Sequence, residues 1–160
     1  MKWLIYAGLA VLIISAIIVL IGAMLPKQHV ASGKVLVSAS AGDVFALIAG
    51  PSNWRGVKYE LLSDSPLNWR ETESGGDAIT YERIETSPPK RIVNRIADPK
   101  LPFGGSWTYE IAATGNATEL TITENGEVYN PLFRFVSRFI IGHTATIEKF
   151  QRSLTKHFER

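Results

Sequence analysis

The chain has 160 residues, with 17 Lys and Arg against 15 Asp and Glu, a net charge of +2 and no cysteine. Balanced charge without a basic stripe argues against a nucleic-acid surface. The missing cysteine removes disulfide scaffolds, thiol nucleophiles and thiolate metal sites.

Residues 3–25 form one apolar run with no charged side chain, opened by Trp3 and Tyr6 and closed by Pro26 and Lys27. Roughly 20 apolar residues span the hydrocarbon core of a bilayer as a helix, and amphipathic aromatics favour its interface. A cleaved signal peptide is the rival, but signal cores are usually shorter. The nearest cleavage-like triplet, Ile21-Gly22-Ala23, also has a bulky residue where a small one is wanted. A retained single-pass anchor over 1–28, linker included, is therefore expected. Lys2 lies before the run, and Lys27 and Lys34 lie after it, so loop charge alone sets no orientation. A basic N-terminus ahead of a long apolar run points to a domain on the extracytoplasmic side.

Residues 29–160 suit one domain, large enough to bury a core. Val35, Val37 and Ala39 alternate in a strand over 30–39, and Ser40 is the expected N-cap of a helix ended by Gly50-Pro51. Strands are expected near 57–61, 67–72, 78–85, 91–98, 105–113 and 118–128. The alternation is cleanest at Trp107, Tyr109, Ile111 and at Leu120, Ile122. Asn130 and Pro131 open a long helix whose apolar stripe runs through Val136, Phe139, His143, Ile147, Phe150 and Leu154, with Gly142 as a bend. Strand, helix, about six strands and a long helix indicate an α+β fold, with a curved antiparallel sheet around the C-terminal helix.

With these elements in place, 29–160 resembles the START-like, or SRPBCC, superfamily and its polyketide cyclase/dehydrase-like members. The resemblance rests on a helix at 43–49 followed by Asn53-Trp54-Arg55, on Leu101-Pro102-Phe103-Gly104-Gly105 within 91–107, and on the segment from Gly126 to Leu132. Ala49-Gly50-Pro51-Ser52 replaces the Asp-containing segment common before the Trp, which bears on the shape of a cavity mouth. The resemblance implies a helix-grip fold. It also implies a deep apolar cavity between sheet and C-terminal helix that receives a lipid or other hydrophobic small molecule, with no cofactor.

No phosphate loop, dinucleotide loop or G-x-S-x-G elbow is present. Of the three histidines, His143 and His157 would stand about 21 Å apart along a continuous helix, and His29 adjoins the anchor, so no metal site is expected. Glu124 continues the inward Leu120/Ile122 face. There it is either a general base of raised pKa or a group that orients a ligand's polar head, unless a bulge near Asn125-Gly126 turns it outward or Arg95 or another base pairs with it. Asn94 is a ligand contact or a satisfied core amide, His143 a catalytic or a packed histidine, and Tyr81, Trp107 and Tyr109 cavity wall or core. The candidate ligand contacts are thus Tyr81, Asn94, Trp107, Tyr109, Glu124, Phe139 and His143, with Glu124 and His143 as the candidate catalytic pair.

Phe133, Phe135, Phe139, Ile140 and Ile141, interleaved with Arg134 and Arg138, carry more apolar surface than one core face needs. That surplus either touches lipid or is used by the cavity wall and neighbouring loops. Three functions remain: a tethered binder of a hydrophobic molecule, a cyclase or dehydratase using an inward acid, and a membrane-side interaction protein with a filled core. The absence of an assembled catalytic set favours the first.

Overall fold

The computed structural model describes residues 2–159, so positions 1 and 160, which end the two expected segments, lie outside the described residues. The first helix, α1 (Lys2–Met24), is long and apolar enough to cross a membrane. Its side chains face outward almost throughout, and Gly22 is its buried residue.

Seven strands follow: β1 (Gln28–Val37), β2 (Lys58–Asp64), β3 (Leu67–Thr72), β4 (Ala78–Ser87), β5 (Arg91–Ile96), β6 (Phe103–Thr114) and β7 (Ala117–Val128). They form one antiparallel sheet in the order β1-β7-β6-β5-β4-β3-β2. Between β1 and β2 the chain makes α2 (Ala41–Ala49) and a 3-10 turn (Ser52–Arg55). The Ser40 hydroxyl caps α2 by accepting from the Asp43 N–H at 3.1 Å, satisfying one of the free donors of its first turn.

The expected alternation is realised where one face is buried. Ile92, Tyr109, Ile111, Leu120 and Ile122 point into one core with Val44 and Ile48 of α2. The register slips between Leu61 and Ser63 in β2 and between Arg83 and Glu85 in β4. Leu61 and Ile84 at these irregularities are exposed, as expected where an extra residue breaks the period of two.

The C-terminal stretch is divided rather than continuous. It forms α3 (Pro131–Val136), a π-helical turn (Ser137–Ile141) and α4 (Ala145–Phe158). Asn130 caps α3 through its side-chain oxygen, and Gly142 breaks the run at φ 82°. A positive φ costs glycine little, so the chain can turn there. Beyond the break, Ile147, Phe150 and Leu154 keep helical spacing and press α4 against the sheet, the helix-grip arrangement.

At the other end α1 docks on α3. A side chain at Gly22 would collide with the carbonyl of Pro131. Arg134, which is buried, donates to the carbonyls of Leu25 at 2.8 Å, Ala23 at 3.4 Å and Tyr129 at 3.3 Å. A guanidinium at a helix C-terminus satisfies carbonyls that have no partner within the helix and complements the helix dipole.

Candidate functional site

A cavity of about 80 Å³ lies between the inner face of the sheet, the 3-10 turn and α4. Strand periodicity builds its wall. Trp107 and Tyr109 are two apart on β6, Asn94 sits opposite Trp107 on β5, and Tyr81 enters from β4. Trp54 and Phe150 close the helix side, meeting edge to face with centroids 5.3 Å apart. Tyr109 packs on Phe150 at 5.2 Å, and Trp69, Tyr81 and Trp107 form a row with steps of 5.7 and 6.0 Å.

The floor is polar. Glu71 on β3 accepts from the Trp69 indole at 2.9 Å and pairs with the Arg55 guanidinium. Burial works to lower the pKa of Arg55, but the Glu71 carboxylate, together with the Tyr109 and Tyr81 hydroxyls, more than offsets it, and the net shift is upward. Burial pushes the Tyr109 hydroxyl up to about 12 and raises Tyr81 as well, so both phenols keep their protons at neutral pH. The Asn94 side-chain oxygen accepts from Arg83 at 3.1 Å, and Arg83 in turn reaches the Ala49 carbonyl at 2.9 Å. Ser52 is among the lining residues, and its hydroxyl is buried with no hydrogen-bond partner. The cavity is therefore smaller and more polar than the resemblance implied. An ion pair and six aromatic side chains occupy space that an apolar ligand pocket, typically 300–1,000 Å³, leaves open.

Of the candidate contacts, Tyr81, Asn94, Trp107 and Tyr109 line this cavity, whereas Glu124, Phe139 and His143 do not. Glu124 and His143 belong to a second cluster, with His29 between them. His29 Nε2 lies 3.6 Å from Glu124 Oε1, and its ring, set over Gly126, stacks on His143 with centroids 4.0 Å apart. The Ser137 hydroxyl is 3.2 Å from His143 Nδ1. Burial raises the Glu124 pKa, partly offset by a hydrogen bond from Trp107, and burial lowers the pKa of both histidines. Each shift favours the neutral form, and the 3.6 Å separation of His29 and Glu124 exceeds hydrogen-bond range. One carboxyl oxygen of Glu124, Oε2, is buried without a partner. Phe139 stands exposed on the π-helical turn, beyond the reach of the cavity.

Sequence reasoning overlooked His29, Arg55, Glu71 and Ser52. His29 carried a readable signal, since it precedes Ala31, Val35 and Val37 at the same parity on β1. Glu71 stands two residues from buried Trp69 and shares its face. Arg55 and Ser52 lie in a short turn whose local pattern names no partner. Among the described residues no group of three or more His, Asp or Glu is placed to hold a metal ion.

A family model described as polyketide cyclase / dehydrase and lipid transport matches residues 28–159. No curated protein matches the sequence. Among solved structures, a conserved protein from Geobacillus kaustophilus superposes with a TM-score of 0.67 at 16% identity, covering 82% of this chain and 95% of that one. A START superfamily protein from Mycobacterium smegmatis gives 0.66 at 16% identity, covering 82% and 97%. A norcoclaurine synthase point mutant from Thalictrum flavum, in complex with a transition-state analogue, gives 0.64 at 14% identity, covering 82% and 94%. At these identities the likeness shows the shared fold.

Proposed function

This chain belongs to the polyketide cyclase / dehydrase and lipid transport family, and on that premise we propose that it binds a hydrophobic small molecule bearing a polar end while α1 tethers it to a membrane. The reading is carried by the aromatic-walled cavity, whose lining includes Ser52 with its buried, unpartnered hydroxyl. A ligand hydroxyl or carbonyl would supply the missing partner of Ser52 and pack its apolar body against Trp107, Tyr109 and Phe150. Anything larger than a few heavy atoms must widen the cavity, and the 3-10 turn and α4 are the elements that stand over it.

Binding without chemistry is favoured by the state of the two acids that line the cavity, of which Glu73 is paired with Lys149 at 2.7 Å. Glu71 is engaged by Arg55 and Trp69 and so is poorly placed to take a proton from a substrate. Glu124, the other inward acid, lies outside the cavity beyond Trp107. The basic N-terminus ahead of the apolar run supports a domain on the extracytoplasmic side.

The test is mass spectrometry of organic extracts from the purified full chain, paired with titration of an apolar fluorescent probe. A recovered small molecule, or probe binding weakened by Tyr109→Ala, is expected. An empty protein that also fails to bind the probe overturns the reading. It would favour the interaction protein, which the smallness of the cavity already makes the second reading.

A further inference from the structure

We infer that α3 and the π-helical turn form a second membrane contact, a wing that enters the same bilayer face from which α1 emerges. The inference rests on the reading of α1 as a membrane span. Leu132, Phe133, Phe139, Ile140 and Ile141 are all exposed, Ile140 at 71% and Phe139 at 59%. Three consecutive large apolar side chains, 139–141, stand in water on an element only five residues long. Neither the cavity nor the core uses them, although one expectation was that the cavity wall would absorb this surplus.

What covers the patch follows from its place. The wing is packed against the last turn of α1 through Gly22 and Pro131, and Arg134 ties it to the Ala23 and Leu25 carbonyls. An apolar surface fixed to the exit of a spanning helix meets lipid without any further partner. Arg138, exposed within the patch, and Lys27, exposed at the end of α1, lie where anionic headgroups begin. Tyr129, half-exposed just before α3, is a residue type favoured at that level. Arg134 does not serve as a surface cation, because it is buried and occupied by the carbonyls it caps.

The chain has no cysteine, so single cysteines give single labels. Val11→Cys in α1, Ile140→Cys in the wing and Asn116→Cys in the β6–β7 turn can each carry an environment-sensitive fluorophore. The full chain is then reconstituted in phosphatidylcholine/phosphatidylglycerol vesicles containing spin-labelled quencher lipids. Strands β6 and β7, about 35 Å long at 3.3 Å per residue, separate the β6–β7 turn from the wing end of the sheet. Quenching of the labels at Val11 and Ile140 but not at Asn116, with the Ile140 label shallower than the Val11 label, is the expected result. A quenched Val11 label with an unquenched Ile140 label overturns the wing and leaves the tether standing. An unquenched Val11 label overturns the tether and the wing with it. Quenching of all three labels also overturns the inference, because it signals adsorption of the whole domain.

Discussion

The imidazole of His29 stacks on that of His143, with 4.0 Å between centroids and 23° between planes. The stack joins the first strand to the turn that precedes α4, two segments more than a hundred positions apart in sequence. Burial lowers the pKa of both rings, and for His143 the neighbouring His29 and Arg138 add to the effect. The folded state therefore takes up protons at lower pH than the unfolded state does. As pH falls through the ordinary histidine value near 6.5, the unfolded chain binds protons that the fold resists, and stability drops. Chemical denaturation at pH 7.5 and 5.5 should show a loss for the wild type that the His29→Asn/His143→Asn double variant lacks. Equal losses would remove the stack from the account.

Glu124 has the opposite sign. Burial raises its pKa, so its charge costs stability as pH rises above the ordinary glutamate value through the folded one. Glu124→Gln keeps the shape and removes the charge. It should stabilise the protein by about 1 kcal/mol at pH 8, the scale of a buried unsatisfied polar group, with the gain shrinking towards pH 4.5. Thermal melts across that range would expose a destabilising variant, the outcome that contradicts this view.

Arg55 and Glu71 form a largely buried pair on the cavity floor. Removing either partner leaves an uncompensated charge, at a cost of about 3 kcal/mol. Replacing both, as in Arg55→Met/Glu71→Leu, should cost far less and should increase uptake of apolar probes. Urea midpoints for the two single variants and the double variant measure the coupling directly.

Gly22 admits no side chain because the Pro131 carbonyl occupies that space. Gly22→Val should push α1 off α3 and break the hydrogen bonds from Arg134 to Ala23 and Leu25. The β-sheet domain should keep its melting temperature within a few degrees, while tryptic cleavage after Lys27 accelerates several-fold. An unchanged cleavage rate would show that the junction does not depend on this close approach.

How much was legible depended on the range of the interaction. One-sided burial imprints a period of two, so Trp107, Tyr109 and Ile111 on β6 and Leu120 and Ile122 on β7 could be read directly. The Ser40 and Asn130 caps were local chemistry and equally readable. The apolar stripe through Phe139 and His143 was not a single face, because the positive φ at Gly142 separates two helices that share one spacing. The pairing of Arg55 with Glu71 across 16 positions, and of His29 with His143, leaves no local trace in either partner. Tyr81, Asn94, Trp107 and Tyr109 were placed on inward faces by alternation, whereas the smallness of the cavity they line depends on side-chain volumes that patterning does not encode.

Trp107 belongs to both halves of this interior. Its indole lines the cavity, and on the sheet it stands directly opposite Glu124, whose carboxyl pKa it helps to hold down. A ligand that shifts the indole changes the environment of that carboxyl, and with it the number of protons the protein holds. Ligand uptake and proton uptake then share one coupling free energy, and each affinity must vary with the other to the same degree. An interior that looks like a container would behave as a transducer, reading local acidity as a change in what it retains.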